Sequence, residues 1–269
     1  MQIEAGQVAV VTGGASGIGL ALCHEFGRRG MAVVAADIEQ GALDAAVAEL
    51  GAAGIDALGV ICDVRSSEAV DALADTAFEW KGHVNVLCNN AGVVHFGDAF
   101  ESLDDWKWVI DVDMWGVVHG ALSFVPRMKE SGQPGHVVNT ASTAGLLGFA
   151  TIASYTAAKH AVVGMSQSMW HELQNTNVSM SVLCPGVVST NINTSHRNKP
   201  GVDPDSVEKE TFGAGYDEAL TPAEVATFVA EGIEADRFWM LPHPRYADMA
   251  LTLAEGRVNG GPPVLPRPD

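Results

Sequence analysis

The sequence predicts an α/β protein built on one parallel, doubly wound sheet, and three observations predict it. Short apolar runs rich in β-branched residues alternate with segments of helical periodicity from the first residues onward. The runs are continuously apolar rather than alternating, as in strands buried on both faces and joined by crossover helices. A glycine-rich turn also follows the first run directly and opens a helix, the arrangement of a βαβ unit.

In chain order the strand-like runs are 8–12, 32–37, 57–62, 84–89, 136–140 and 178–184. Helical segments are expected at 19–29, 41–53, 67–80, 103–128 and 153–174. No repeat or low-complexity linker divides the chain, so one domain spanning 1–269 is expected. Residues 191–220 are polar and rich in Gly and Pro, which reads as a mobile lid over a substrate. Thr221-Pro222-Ala223-Glu224 carries an N-cap, a first-turn proline and an acidic third position, so a helix begins there. Residues 237–242 read as a last short strand, and 258–269 as an irregular tail that is at most an oligomer contact.

Composition excludes several function classes. With 33 acidic against 15 basic residues the formal net charge is −18, which argues against nucleic acid or an anionic membrane as partner. A phosphorylated cofactor remains compatible, because helix N-terminal amides supply a local positive field. Cys23, Cys62, Cys88 and Cys184 stand singly in apolar patterns, with neither Cys-x-x-Cys nor a neighbouring His at ligand spacing. Reduced, buried thiols and no metal are therefore expected. No basic leader precedes the first strand and no segment approaches ~20 apolar residues, so the expected location is cytoplasmic.

The chemistry concentrates in 139–165, where Ser142 precedes Tyr155 and Lys159 follows it by four residues. In a helix that spacing puts phenol and ammonium on one face. A phenol is a poor base at neutral pH, its unperturbed pKa being ~10. An ammonium ~4 Å away at an effective dielectric of ~20 favours the phenolate by ~4 kcal/mol. That field brings the phenol toward neutral pH, where general acid–base catalysis is efficient. Alone, such a pair also describes an ordinary exposed helix face.

The first strand ends in Thr12-Gly13-Gly14-Ala15-Ser16-Gly17-Ile18-Gly19. Gly13 suits the tight turn, Gly17 a close approach to pyrophosphate, and Gly19 close helix packing. The spacing is G-x-x-x-G-x-G rather than G-x-G-x-x-G. Asp37 ends the second strand, placed to bind both hydroxyls of an adenosine ribose and to repel a 2′-phosphate. Ile38 is placed to cover the adenine, and no Lys or Arg sits in the glycine loop or just after Asp37, so NAD is preferred over NADP. A helix-capping Asp37 is the competing reading. Asp63-Val64 and Asn89-Asn90-Ala91-Gly92 follow the third and fourth strands, on the ligand edge of an open sheet.

Together these residues resemble the short-chain dehydrogenase/reductase family in its NAD-preferring form. The resemblance rests on Thr12-Gly13-x-x-x-Gly17-Ile18-Gly19, Asp63-Val64, Asn89-Asn90-Ala91-Gly92, Ser142, Tyr155-x-x-x-Lys159 and Pro185-Gly186, in the family's order from residue 12 to about 190. It implies a Rossmann-type sheet of about seven strands and a cofactor held by the loop from Gly13 through Ser16 to Gly19 and by Asp63, Val64, Asn90, Ala91 and Gly92. It further implies Tyr155 as acid/base, Ser142 on the substrate oxygen and Lys159 on the nicotinamide ribose, with Pro185, Val188 and Thr190 at the nicotinamide half. The helices 103–128 and 153–174 become the seam of a homotetramer, or of a homodimer.

One position departs from that pattern. The family has Asn-x-x-Gly in the fifth helix, where its backbone carbonyl binds a water linked to the lysine; this chain has Asp113-Met114-Trp115-Gly116. The resemblance implies that the backbone role survives, with a proton path to solvent through Lys159. A buried, partly protonated structural aspartate is the alternative.

Leu146, Leu147, Phe149, Val94 and Phe96 are expected to line an apolar pocket, hence a bulky hydrophobic secondary alcohol or ketone as substrate. His95 reads first as a hydrogen-bonded loop histidine and second as a substrate contact. The expected function is NAD-dependent hydride transfer to or from such an alcohol. Two rivals are a non-catalytic NAD-binding sensor on the same fold and an NADP-linked ketone reductase. A zinc-dependent dehydrogenase lacks the clustered ligands it needs.

Overall fold

Val8–Thr12 (β1) is buried along its whole length and splits its side chains between two cores. Val8 and Val10 pack on one face of the sheet, Ala9 and Val11 on the other, as the two-residue period of a strand requires. The computed structural model describes residues 1–203 and 219–263. Around β1 lie Ala32–Asp37 (β2), Ala57–Ile61 (β3), Val86–Asn89 (β4), Gly135–Thr140 (β5), Val178–Leu183 (β6) and Trp239–Met240 (β7). The seven form one parallel sheet in the order β3-β2-β1-β4-β5-β6-β7.

Helices cover both faces. Gly17–Arg28 (α1), Gln40–Ala52 (α2) and Pro222–Glu234 (α7) supply buried residues such as Leu22, Leu50 and Val229 to one core. Ser67–Lys81 (α3), Leu103–Ile110 (α4), Gly116–Glu130 (α5) and Ala153–Leu173 (α6) bury Leu73, Val109, Phe124 and Ala158 in the other. The strand order reverses between β1 and β4. A crevice opens there at the carboxyl ends, where sheets of this kind bind ligands. The glycine loop leaves β1 into it, and Asn90–Gly92 leave β4 beside it.

The structure departs from the sequence-based elements in three places. The expected helix 103–128 is α4 and α5 joined by a π-helical turn, Asp111–Trp115, so one extra residue enters the ladder around Asp113. The run Leu103–Glu130 also reaches the length and mean hydropathy (1.2) of a membrane span, contrary to the expectation that no segment approaches one. More than half of its most apolar window is buried, as for a core helix. Thirdly, Pro244–Val258 forms a helix (α8) that the sequence pattern did not indicate. Leu253 is its one fully buried residue, so α8 lacks the apolar stripe that marks a helix in sequence. The α7 start is as expected: Thr221 and Glu224 form a reciprocal capping box with Pro222 in the first turn. Of the expected lid, Ile192–Asn198 forms a 3-10 helix, and 204–218 lie outside the described residues, as does the tail from 264.

Candidate active site

A cavity of about 500 Å³ runs along the carboxyl ends of the strands. Its lining contains Gly13, Ser16, Gly17, Ile18, Asp37, Ile38, Asp63, Val64, Asn90 and Ala91 toward one end, Gly92, Ser142, Tyr155, Lys159, Pro185 and Val188 toward the other, and Thr190 against Gly17. Gly19 and Asp113 act from behind this wall. A side chain on Gly19 would collide with the Gly13 carbonyl, and Asp113 has no exposed surface.

At the first end β1, β2 and β4 are tied together. Thr12 Oγ1 accepts the Asn90 and Ala91 N–H groups at 3.0 and 3.1 Å, and Asn90 Nδ2 donates to the Thr12 carbonyl at 3.0 Å. Gly13 and Gly17 take left-handed backbone, φ 64° and 52°. A Cβ on Gly13 would stand 2.9 Å from Ala91 Cα, so the loop passes this close only because it is glycine. Asp37 accepts Ala15 N–H on Oδ2 and Glu39 N–H on Oδ1, both at 3.1 Å. It thus braces the glycine loop and does not cap α2, whose N-cap is Glu39. Burial pushes the Asp37 carboxyl up from its ordinary value, against the pull of those amides.

Sequence reasoning missed two cations in this wall, Arg65 and Arg197. Each is bound by a carboxylate. Arg65 forks onto Asp63 at 2.6–3.0 Å and holds it below the usual carboxylate range although burial raises it. Arg197, in the 3-10 helix, grips Glu39 at 2.6 and 3.2 Å. Their sequence distance from Asp37 hid both.

At the other end Tyr155 and Lys159 lie one turn apart on α6, both buried. Lys159 Nζ donates to the Thr140 carbonyl at 3.0 Å and lies 5.4 Å from the centre of the Tyr155 ring. Ser142, two residues beyond β5 and N-cap of the 3-10 turn Thr143–Gly145, accepts Ala144 N–H at 3.1 Å and helps stabilise the Tyr155 phenolate. Asp113 Oδ2 lies 3.1 Å from Lys159 Nζ, while its Oδ1 accepts Val93 N–H at 2.8 Å. The two groups form an ion pair within the protein interior. Gly92 passes over the pair; a Cβ there would stand 3.3 Å from Nζ and 3.4 Å from Oδ2.

Asp113, within the π turn, meets the lysine with its side chain and is wholly buried, which agrees with the alternative reading of a buried structural aspartate. One expectation is corrected: the phenol is not lowered. Burial pushes Tyr155 above its ordinary value; Lys159 and Ser142 pull it down, and Asp113 pushes it up again. The Coulomb estimate for the tyrosine–lysine pair omitted desolvation and the second anion. Asp113 itself is pushed up by burial despite Lys159, and Lys159 is held up by Asp113 although burial opposes its charge.

The apolar end of the cavity is lined by Phe96, Phe149, Val93, Trp108, Val112, Ile152 and Ile192. Of the five residues expected there, Phe96 and Phe149 line it. Leu147 and Val94 are buried in the protein instead, and Leu146 packs against a separate small core. The short 3-10 turn Thr143–Gly145 rotates the chain and sends 146 and 147 inward. Trp108 and Val112 were missed because the 103–128 helix read as a subunit seam. His95 is outside the lining; its Nδ1 stands 3.5 Å from Asp105, which also binds Lys199 at 2.5 Å. Tyr246 of α8 is a further lining residue that carries no sequence signal.

Residues 7–201 match the short chain dehydrogenase family. The 1-deoxy-11-beta-hydroxypentalenate dehydrogenase of Streptomyces exfoliatus is 40% identical over 239 residues, 87% of this chain and 82% of that protein. A C alpha-dehydrogenase of Sphingobium sp. is 35% identical over 246 residues, covering 88% and 81%. Among solved structures, a short chain dehydrogenase/reductase from Burkholderia phymatum in complex with NAD superimposes with a TM-score of 0.92 at 36% identity, each chain fully covered.

Proposed function

The chain belongs to the short-chain dehydrogenase family, and from that premise we propose an NAD-dependent dehydrogenase of a hydrophobic secondary alcohol, or of its ketone. One observation carries the reading: Ser142, Tyr155 and Lys159 converge at one end of a cavity whose other end holds Asp37 and the glycine loop. The residues fit NAD. Left-handed glycines leave room for a pyrophosphate at the start of α1, and Asp37 presents a carboxylate to a ribose. Bound NAD supplies the hydride acceptor.

The protein's own groups do the rest. Ser142 holds the substrate oxygen, and the Tyr155 oxygen takes the hydroxyl proton in oxidation or returns it in reduction. Lys159, 5.4 Å from the centre of the Tyr155 ring, stabilises the phenolate and, at its other side, donates to the Thr140 carbonyl. Phe96, Phe149 and Trp108 exclude water from an apolar substrate. The pentalenate relative is by its name a dehydrogenase of a hydroxylated compound, which supports an alcohol as the substrate class. The Ile192–Asn198 segment serves as the base of a lid, and the subunits associate as a homo-oligomer.

Arg65 and Arg197 favour a second reading, an NADP-linked enzyme, since guanidinium groups at an adenosine site bind a 2′-phosphate. Each already has a carboxylate partner, and Asp37 lines the same cavity as a carboxylate that would repel a 2′-phosphate, so NAD is preferred. A panel of hydrophobic secondary alcohols, assayed with NAD and NADP, tests the proposal. Turnover with NAD is expected, together with a loss of at least ~100-fold in Tyr155→Phe and relaxed cofactor preference in Asp37→Ala. Tight NAD binding without turnover of any alcohol would support the sensor instead, and full activity in Tyr155→Phe would end the acid/base assignment.

A further inference from the structure

Residues 185–187 link the reacting end of the cavity to the last described helix. On one side the Pro185 carbonyl accepts Thr143 N–H at 2.9 Å and faces the Ser142 hydroxyl at 3.5 Å. On the other side stands His243, the N-cap residue of α8, which is 8% exposed. Gly186 N–H donates to His243 Nδ1 at 3.0 Å, so that nitrogen carries the lone pair. The proton is then on Nε2, which donates to the Val187 carbonyl at 3.0 Å. One imidazole in one tautomer therefore bonds two backbone groups of the loop, the Gly186 N–H and the Val187 carbonyl, the latter shared with Leu220 N–H at 3.2 Å. Tyr246, one turn into α8, meets the imidazole edge to face at 5.9 Å and lines the cavity. Its ring occupies the space a Gly186 side chain would need, and a Cβ there would also stand 3.2 Å from His243 Cγ.

We propose that His243 is a positioning residue for the reaction: it fixes the Pro185–Gly186–Val187 backbone against Ser142, with Tyr246 packed on Gly186 as its support. The proposal rests on the dehydrogenase reading above. The loop lines the same cavity as Ser142 and Tyr155, and in this proposal it serves the nicotinamide half of the cofactor while Asp37 and the glycine loop serve the adenosine half. Nothing in the primary sequence marks this, because His243 follows the loop by 57 residues and its function lies in two main-chain bonds.

The two halves of the cofactor separate the possibilities. Binding of NAD and of ADP-ribose, which lacks the nicotinamide, is measured on the wild type, His243→Ala and His243→Asn, with Tm recorded for each. In His243→Ala the Kd for NAD rises about tenfold, the loss expected for two backbone bonds, while that for ADP-ribose stays within about twofold. His243→Asn recovers part of the NAD affinity, because its Oδ1 takes the place of Nδ1 and accepts Gly186 N–H. In steady state the KM for NAD rises and kcat for the alcohol falls together in the alanine variant. Equal weakening of NAD and ADP-ribose, or a lowered Tm with both affinities intact, overturns the positioning role. A wild type that binds neither molecule overturns the dehydrogenase reading first, and the proposal with it.

Discussion

Asp113 puts a carboxylate against the lysine that the resemblance expects to meet only a water held by the backbone carbonyl at this position. The pair lies wholly inside the protein, 3.1 Å apart, so both partners are in a low-dielectric setting where charge effects are large. With its ammonium shared with Asp113, Lys159 has less effect on the phenol, and Asp113 adds its own repulsion of a phenolate. The sign of the consequence is fixed. With Tyr155 as the proposed acid/base, oxidation needs the phenolate; burial pushes that phenol up, so alcohol oxidation is expected to rise with pH into the alkaline range. Reduction needs the phenol and persists from neutral pH downward. Replacing Asp113 by Asn removes an anion and leaves the Val93 bond, since the amide oxygen still accepts it. Lys159 then stabilises the phenolate more fully, and the rising limb of kcat/KM for oxidation moves to lower pH by about one unit. A limb that stays in place, or moves up, would show that the carboxylate does not oppose the phenolate. A breaking of the buried pair is costly in itself, so Tm is followed in parallel.

At the scale of elements, β5 carries a second buried titratable group with a different consequence. His136 has no exposed surface, its Nε2 lies 2.6 Å from Ser181 Oγ of β6, and Ser181 in turn donates to the Arg237 carbonyl at 2.6 Å. Burial lowers its pKa to about 4, so the folded sheet holds a neutral imidazole. The unfolded chain binds a proton near pH 6.5 and the folded one does not, so stability is complete above that value and is lost as pH falls toward 4. Between pH 7 and 5 this residue costs the fold about 2 kcal/mol. His136→Gln keeps a donor for Ser181 and cannot titrate, so its urea-unfolding free energy should fall less over that interval, by about that amount. Parallel pH dependences in the two proteins would remove His136 from the account.

The same strands explain what was legible in the sequence. β1 and β2 are buried on both faces and so read as nearly unbroken apolar runs, and the motifs at the strands' carboxyl ends fell at the crevice because the parallel order puts all those ends on one edge. The π turn was not legible, since one extra residue inside an apolar helical run changes no residue type, yet it is what aims Asp113 at Lys159. Trp108 and Val112 have the periodicity of any core helix. His243 and Tyr246 belong to no motif, and only the folded chain brings them to Gly186.

For the whole molecule the open quantity is association. The described chain leaves large apolar side chains in solvent on the α4–α5 run and just before it: Phe100 at 96% exposure, Leu103 and Leu122 at 68%, and Trp115 at 45%. Trp115 and Leu122 are seven residues apart and share a helix face, with His119 between them stacked on the Trp115 ring at 6.0 Å. Covering such a face is favourable at roughly 25 cal/mol per Å² of apolar surface. Against it stands the net charge of −18, which every subunit brings to an assembly. Salt screens that repulsion within ~8 Å at physiological ionic strength and leaves apolar contact intact. Sizing with light scattering should therefore give a dimer or tetramer at 0.15 M salt, and dilution should dissociate it more readily at 0.02 M than at 0.5 M. Leu122→Glu places a further anion in the centre of the face and should reduce the mass to that of one chain, with the Tyr155-dependent alcohol assay still measurable. A wild type that is monomeric at every concentration and salt would leave this face to solvent.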